Sequence, residues 1–118
     1  MTTDSTTESS TATPTEPVAV DGEAELDELV GDGVVLADFY ADWCGPCQMI
    51  APVVETLAAE TDATVAKVDV DANQELAAAY GVRGVPTLVL FANGEQVEEL
   101  VGLQDEARLR SLIEGYTE

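Results

Sequence analysis

The chemistry-bearing residues of this chain are few. Its only two cysteines, Cys44 and Cys47, are separated by Gly45 and Pro46. At that spacing two thiols can close a very small disulfide loop, and the pair can pass two electrons by thiol–disulfide exchange. There is no histidine, which removes the commonest general base and the commonest metal ligand together. Ser–His and Cys–His activation of a nucleophile is therefore impossible within the chain. Acid–base work falls to carboxylates, thiols, tyrosines and Lys67, the only lysine. Two further readings of the cysteine pair stay open at this point. It could be half of a zinc site, with the other ligands from carboxylates or a second chain. It could also be a structural staple, although so short a loop removes little unfolded-state entropy.

The flanking pattern says which sulfur attacks. Val34–Tyr40 is apolar and strand-like apart from Asp38, and the cysteines follow it directly. Ile50, Val53, Val54, Leu57 and Ala58 then mark one face of a helix running to about Glu60, with Pro52 inside it to kink it. Cys44 thus stands at a helix N-terminus, where unsatisfied N–H groups and the positive end of the helix dipole favour thiolate over thiol. Cys44 is the expected nucleophile. Cys47, one turn in, is placed to attack a mixed disulfide formed at Cys44, and proline in the first turn costs no helix hydrogen bond.

Asp38 interrupts an apolar strand. Either it points outward at a strand edge, or it is buried at a cost that raises its own pKa. Pro86, after Gly84-Val85 and before a strand, reads by itself as an ordinary strand-entry proline. Trp43 is a core aromatic or, better suited to its place beside a reactive cysteine, a partly exposed one.

The elements that must hold these residues alternate along the chain. Val18–Val20 reads as a short edge strand, and Leu26, Leu29 and Val30 as one face of a helix stopping near Gly31–Gly33. Thr64–Val70 alternates as a strand interrupted by Lys67 and Asp69. Asn73 is expected to cap a helix with Leu76, Ala79 and Tyr80 inward. Thr87–Ala92 is a buried strand, and Asn93-Gly94 is a hairpin signal joining it to an antiparallel strand over Gln96–Val101. Asp105 caps a last helix carrying Leu109, Leu112, Ile113 and Tyr116. The order β–α–β–α–β–α–β–β–α implies an α/β domain, a mixed sheet with helices on both faces.

Length and charge bound the rest. The 118 residues suit a single domain, and no internal repeat is visible. Residues 1–17 hold ten Ser or Thr and two Pro, and read as a disordered, acidic Ser/Thr-rich tail; residues 18–118 form the domain. Twenty-four acids against four bases give a net charge of −20, which excludes phosphate-backbone binding, so no nucleic acid is expected. Only three acids lie in the tail, leaving 21 against four bases in the domain. No uninterrupted apolar run exceeds five residues, so no membrane partner is expected. The N-terminus lacks the basic and apolar regions of a secretory signal, and a cytoplasmic monomer is the expectation.

Trp43-Cys44-Gly45-Pro46-Cys47 makes the chain resemble the thioredoxin family. The resemblance extends to Asp38, six residues before the first cysteine, and Pro52, five after the second. Lys67, Arg83-Gly84-Val85-Pro86-Thr87, Asn93-Gly94 and Gly102 also match in spacing, so it covers roughly residues 18–118. It implies the thioredoxin fold and a protein-disulfide reductase cycling between a Cys44–Cys47 disulfide and a dithiol, serving cell redox homeostasis. It implies that Asp38 lies beneath the disulfide as proton donor and acceptor for Cys47, supported by Lys67. It implies a cis peptide before Pro86 and a docking surface for substrate from Trp43, Gly45, Pro46, Gly84, Val85, Pro86 and Gly102. Partners would be a thioredoxin reductase and oxidised protein substrates, and no cofactor or metal is implied, since no dinucleotide fingerprint is present. An oxidant or isomerase, or an interaction module with secondary redox chemistry, remains as the competing reading. Gln48 departs from the lysine that many family members carry there; with Asp42 close by, the Cys44 thiolate has less positive support. The acidity of the domain resembles that of proteins from extreme halophiles, against the plainer reading of an acidic mesophilic family member.

Overall fold

The computed structural model describes residues 13–117, and the expected tail lies mostly outside them. Five strands and four helices follow the expected order. The strands are β1 (Val18–Ala19), β2 (Val34–Tyr40), β3 (Thr64–Asp69), β4 (Thr87–Ala92) and β5 (Glu95–Val101). The helices are α1 (Glu23–Val30), α2 (Gly45–Glu60), α3 (Gln74–Ala79) and α4 (Glu106–Thr117).

The strands form one sheet in the order β1-β3-β2-β4-β5. β1 and β2 both run parallel to β3, whereas β2–β4 and β4–β5 are antiparallel. β2 is therefore central, flanked by a parallel neighbour reached through α2 and an antiparallel one. Its composition suits that place: Val34 to Phe39 are all buried. The β4–β5 hairpin turns on Asn93 and Gly94, both at positive φ (52° and 89°). That geometry suits the right-handed twist of the paired strands and explains the Asn-Gly dipeptide. The Asn93 side chain also accepts the Gly33 N–H at 3.1 Å, tying the hairpin tip to the entry of β2.

Strand alternation divides the core into two layers. Val34 and Leu36 of β2 face α2 and α4, packing with Ile50, Val54, Leu57, Leu109 and Ile113. Val35, Ala37 and Phe39 face the other way, against Leu26 and Val30 of α1 and Leu76 and Ala77 of α3. Asp38 shares the parity of Leu36, so it falls on the α2 side of the sheet. Arg110 of α4 binds Glu60 at the end of α2 (2.8 Å) and Glu106 one turn back (2.7 Å), joining the two helices on that face.

Three local expectations are corrected. Asn73 occupies the N-cap position of α3 but makes no side-chain cap. Its carbonyl oxygen instead accepts the Gly22 N–H (2.8 Å), and its amide donates to the Asp69 carbonyl (3.0 Å). It clasps the start of α1 to the end of β3. Ala77, not Ala79, is the inward alanine of α3, because this helix has too few turns to keep a regular stripe. Tyr116 is 40% exposed rather than packed inside, its hydroxyl meeting Glu98. Asp105 does cap α4, accepting the Arg108 N–H at 2.9 Å.

Candidate active site

β2 delivers the chain to the N-terminus of α2, and the two cysteines sit at that junction. Cys44 is the N-cap, in extended conformation, with Pro46 in the first turn. Its carbonyl already accepts the Gln48 N–H (3.2 Å), and its Sγ accepts the Cys47 N–H (3.1 Å). Cys44 and Cys47 are joined as a disulfide with Cα atoms 5.2 Å apart. Both are almost fully buried, packed with Ala41 and against half-buried Tyr40, Val70 and Val85, while Gly45 and Pro46 are exposed. One first-turn N–H, that of Cys47, is directed at Cys44 Sγ, so negative charge on this sulfur would meet a hydrogen-bond donor and the helix dipole together. Gln48 adds no charge; its amide donates to the Asp42 carbonyl at 3.0 Å.

The second wall of the site comes from the loop entering β4. The Val85–Pro86 peptide is cis, and the Val85 carbonyl oxygen lies 3.6 Å from Cys44 Sγ. Thr87 donates its hydroxyl to the Gly84 carbonyl (2.7 Å), and Gly102 donates its N–H to the Pro86 carbonyl (2.8 Å). Gly102 has φ 91°, a conformation favouring glycine, so a side chain there would strain the bond that anchors this loop. Trp43 is 71% exposed, and its indole N–H donates to Asp71 at 2.9 Å. Between Trp43 and this loop runs an open groove of about 160 Å3, lined also by Val70, Val82 and Arg83. Of the residues expected to dock substrate, Trp43, Gly84 and Val85 line the groove; Pro86 lies buried behind it, held by Gly102.

Asp38 is completely buried, which removes the reading of an outward carboxylate at a strand edge. Neither carboxylate oxygen has a hydrogen-bond partner among the described residues, and Lys67 Nζ lies 3.5 Å from Oδ2. The two residues are register partners across β2 and β3. Burial pushes the Asp38 carboxyl above its ordinary range, and the Lys67 ammonium opposes that shift only in part. A buried acid that can hold a proton therefore stands on the sheet face covered by the helix that carries Cys47. No group of three or more Cys, Asp or Glu side chains gathers among the described residues in a way that could hold a metal ion.

Sequence reasoning passed over Asp71, Val70 and Tyr40. Asp71 lies 28 residues from Trp43, and no local pattern signals that bond; it exists because β3 ends beside the α2 N-terminus. Tyr40 read as the last residue of a strand, yet its ring lies under the Lys67 ammonium, 4.3 Å from Nζ to the centroid.

Comparison with known proteins agrees with this geometry. Residues 17–115 match the family model described as Thioredoxin. A solved mutant thioredoxin from Halobacterium salinarum is 72% identical, superposes with a TM-score of 0.89, and is matched over 92% of this chain and 96% of its own. A Staphylococcus aureus thioredoxin is 46% identical over 96 residues, 80% of this chain and 92% of that protein. A Chlamydia pneumoniae thioredoxin is 42% identical over 97 residues, 81% and 95% of the respective chains.

Proposed function

The chain belongs to the thioredoxin family, and from that premise we propose how its site works and in which direction. It is a thiol-disulfide oxidoreductase with a redox-active Cys44–Cys47 pair. In the proposed cycle, the reduced Cys44 thiolate attacks one sulfur of a protein disulfide. The substrate S–S bond breaks, one substrate sulfur leaves as thiolate, and a mixed disulfide forms at Cys44. Asp38 takes the Cys47 proton, and Cys47 attacks Cys44 Sγ. The second substrate thiol leaves and the Cys44–Cys47 disulfide closes, so two electrons have passed to the substrate. Lys67 steadies the Asp38 carboxylate while it is charged.

The observation that carries this reading is the seating of Cys44 as N-cap of α2 with its Sγ on the Cys47 N–H, together with a buried carboxylate on the sheet face that α2 covers. The groove beside Val85 suits an extended substrate segment. Its backbone would pair with the exposed loop, and Trp43 would cover its apolar side chains. A thioredoxin reductase would restore the dithiol, and oxidised cytoplasmic proteins would be the substrates. The chain would act as a monomer, in the reducing direction. No helix among the described residues is long and apolar enough to cross a membrane. Equilibration of the pair against glutathione, with reduction of a disulfide-bonded protein in the presence of a thioredoxin reductase, tests the direction. A reductase keeps its dithiol only in strongly reducing buffer and turns over with the reductase; a pair that stays reduced in mildly oxidising glutathione would be an oxidant instead.

A further inference from the structure

Lys67 has two partners, and the second has no part in the cycle described above. Its Nζ lies 3.5 Å from Asp38 Oδ2 and 4.3 Å from the centre of the Tyr40 ring. Asp38 and Tyr40 are two residues apart on β2, so both project from the face covered by α2. The Asp38–Lys67 ion pair is lopsided. Asp38 is sealed, whereas the lysine side chain keeps 22% of its surface exposed. A long side chain with that much access to water gains rotamer entropy by leaving. Two other carboxylates stand ready to draw it away: Asp69, the register partner of Tyr40 on β3, and Asp42 in the loop after β2. Both are near enough to the Tyr40 hydroxyl to raise its pKa, after burial itself.

We propose that Tyr40 is a positioning residue for disulfide exchange. Its ring stations the Lys67 ammonium against Asp38 and so sets the pH range over which Asp38 exchanges its proton. The ring face attracts the cation and competes with the outer carboxylates for it. Tyr40 and Lys67 also line, with Cys47, Gln48 and Asp42, a cavity of about 190 Å3 opening to solvent. The ring is thus beside the resolving thiol as well as the ammonium. Among the described residues, the groups around Asp38 and Lys67 are Tyr40 from β2, Asp69 from β3, apolar Ala19 from β1, apolar Leu88 from β4, Asp42 from the loop after β2, and Cys47 and uncharged Gln48 from α2. The inference rests on the reading of Asp38 as proton acceptor for Cys47.

The test follows the Asp38 carboxylate by carbon NMR against pH in the full chain, beside the pH profile of disulfide reduction. Tyr40→Phe keeps the ring and should leave both unchanged. Tyr40→Leu and Tyr40→Val remove it, the second with a side chain that strands favour. Each should move the Asp38 midpoint to higher pH, by roughly a threefold change in its protonation equilibrium, the size of a modest cation–π contact. In a Lys67→Met background the same substitutions should have no effect, because the ring acts through the ammonium. An unmoved midpoint would overturn the proposal. So would a downward shift, which would mean that the ring only shields the carboxylate from water, or an equal shift without Lys67. Movement of the carboxylate midpoint with an unmoved rate profile would instead overturn Asp38 as the proton acceptor, and with it any part for Tyr40 in the reaction.

Discussion

At the scale of single residues, the site sets a sulfur that accepts a first-turn N–H beside a carboxyl whose burial resists ionisation. Cys44 Sγ accepts the Cys47 N–H in the first turn of α2, and Asp38 is desolvated on the sheet face that α2 covers. The sign of that cost is testable. Burial raises the folded-state pKa of Asp38 above the ordinary 3.8, with Lys67 lowering it in part. The folded protein therefore holds this proton more tightly than the unfolded chain. Stability is lost as pH rises from about 3.8 through the folded midpoint, and the loss is complete above it. Asp38→Asn should raise the melting temperature at neutral pH, the gain shrinking toward zero as pH falls to the ordinary carboxylate value, while disulfide reduction slows. A variant destabilised at neutral pH, or one reducing substrate at the normal rate across pH 6–8, would contradict this role. The cysteine pair was legible from its type and spacing. Asp38 and the loop at Pro86 became legible only through the family resemblance, since by themselves Asp38 reads two ways and Pro86 as an ordinary strand entry. Asp71 and Tyr40 were not. Each matters through one contact made by the fold between distant segments, and nothing local marks it.

Elements were the most legible level. β2 announced itself by an apolar run, the β4–β5 hairpin by Asn93-Gly94, and α2 by its stripe from Ile50 to Ala58. The sheet came out mixed as expected. The helical crossover through α2 leaves β2 and β3 parallel, and the two-residue turn makes β4 and β5 antiparallel. The antiparallel β2–β4 pairing, reached through α3, follows from neither connection. Short elements were harder to read. In α3, six residues offer no periodicity to average over, and Asn73 looked like a cap by type and position alone. Its two bonds reach α1 and β3 instead, and both partners are backbone groups that sequence cannot pair. Asn73→Ala should lower stability by about 1–3 kcal/mol, since it leaves a part-buried N–H and carbonyl without partners. Urea unfolding would measure this. A loss below a few tenths of a kcal/mol would show that water replaces the clasp.

The whole molecule is governed by charge. A net −20 opposes compaction, and screening should relieve it: the Debye length falls from roughly 8 Å at physiological ionic strength to about 3 Å at 1 M. The urea midpoint should therefore climb steeply as KCl rises from 0.1 to about 2 M. Likeness to a Halobacterium salinarum chain at 72% identity accords with that expectation. A flat midpoint would leave the acidity without a role in salt tolerance. Removing residues 1–17 should change neither melting temperature nor activity appreciably, because this segment offers almost no apolar side chain to anchor it; a fall of several degrees would show that it docks. The central claim, attack by Cys44 and release by Cys47, has its most direct test in peptide mass mapping of the Cys47→Ser variant mixed with a disulfide-bonded protein. The account predicts a mixed disulfide accumulating at Cys44 alone, cleaved by dithiothreitol, and none with Cys44→Ser. Turnover by Cys44→Ser, or a substrate adduct trapped on its Cys47, would contradict it.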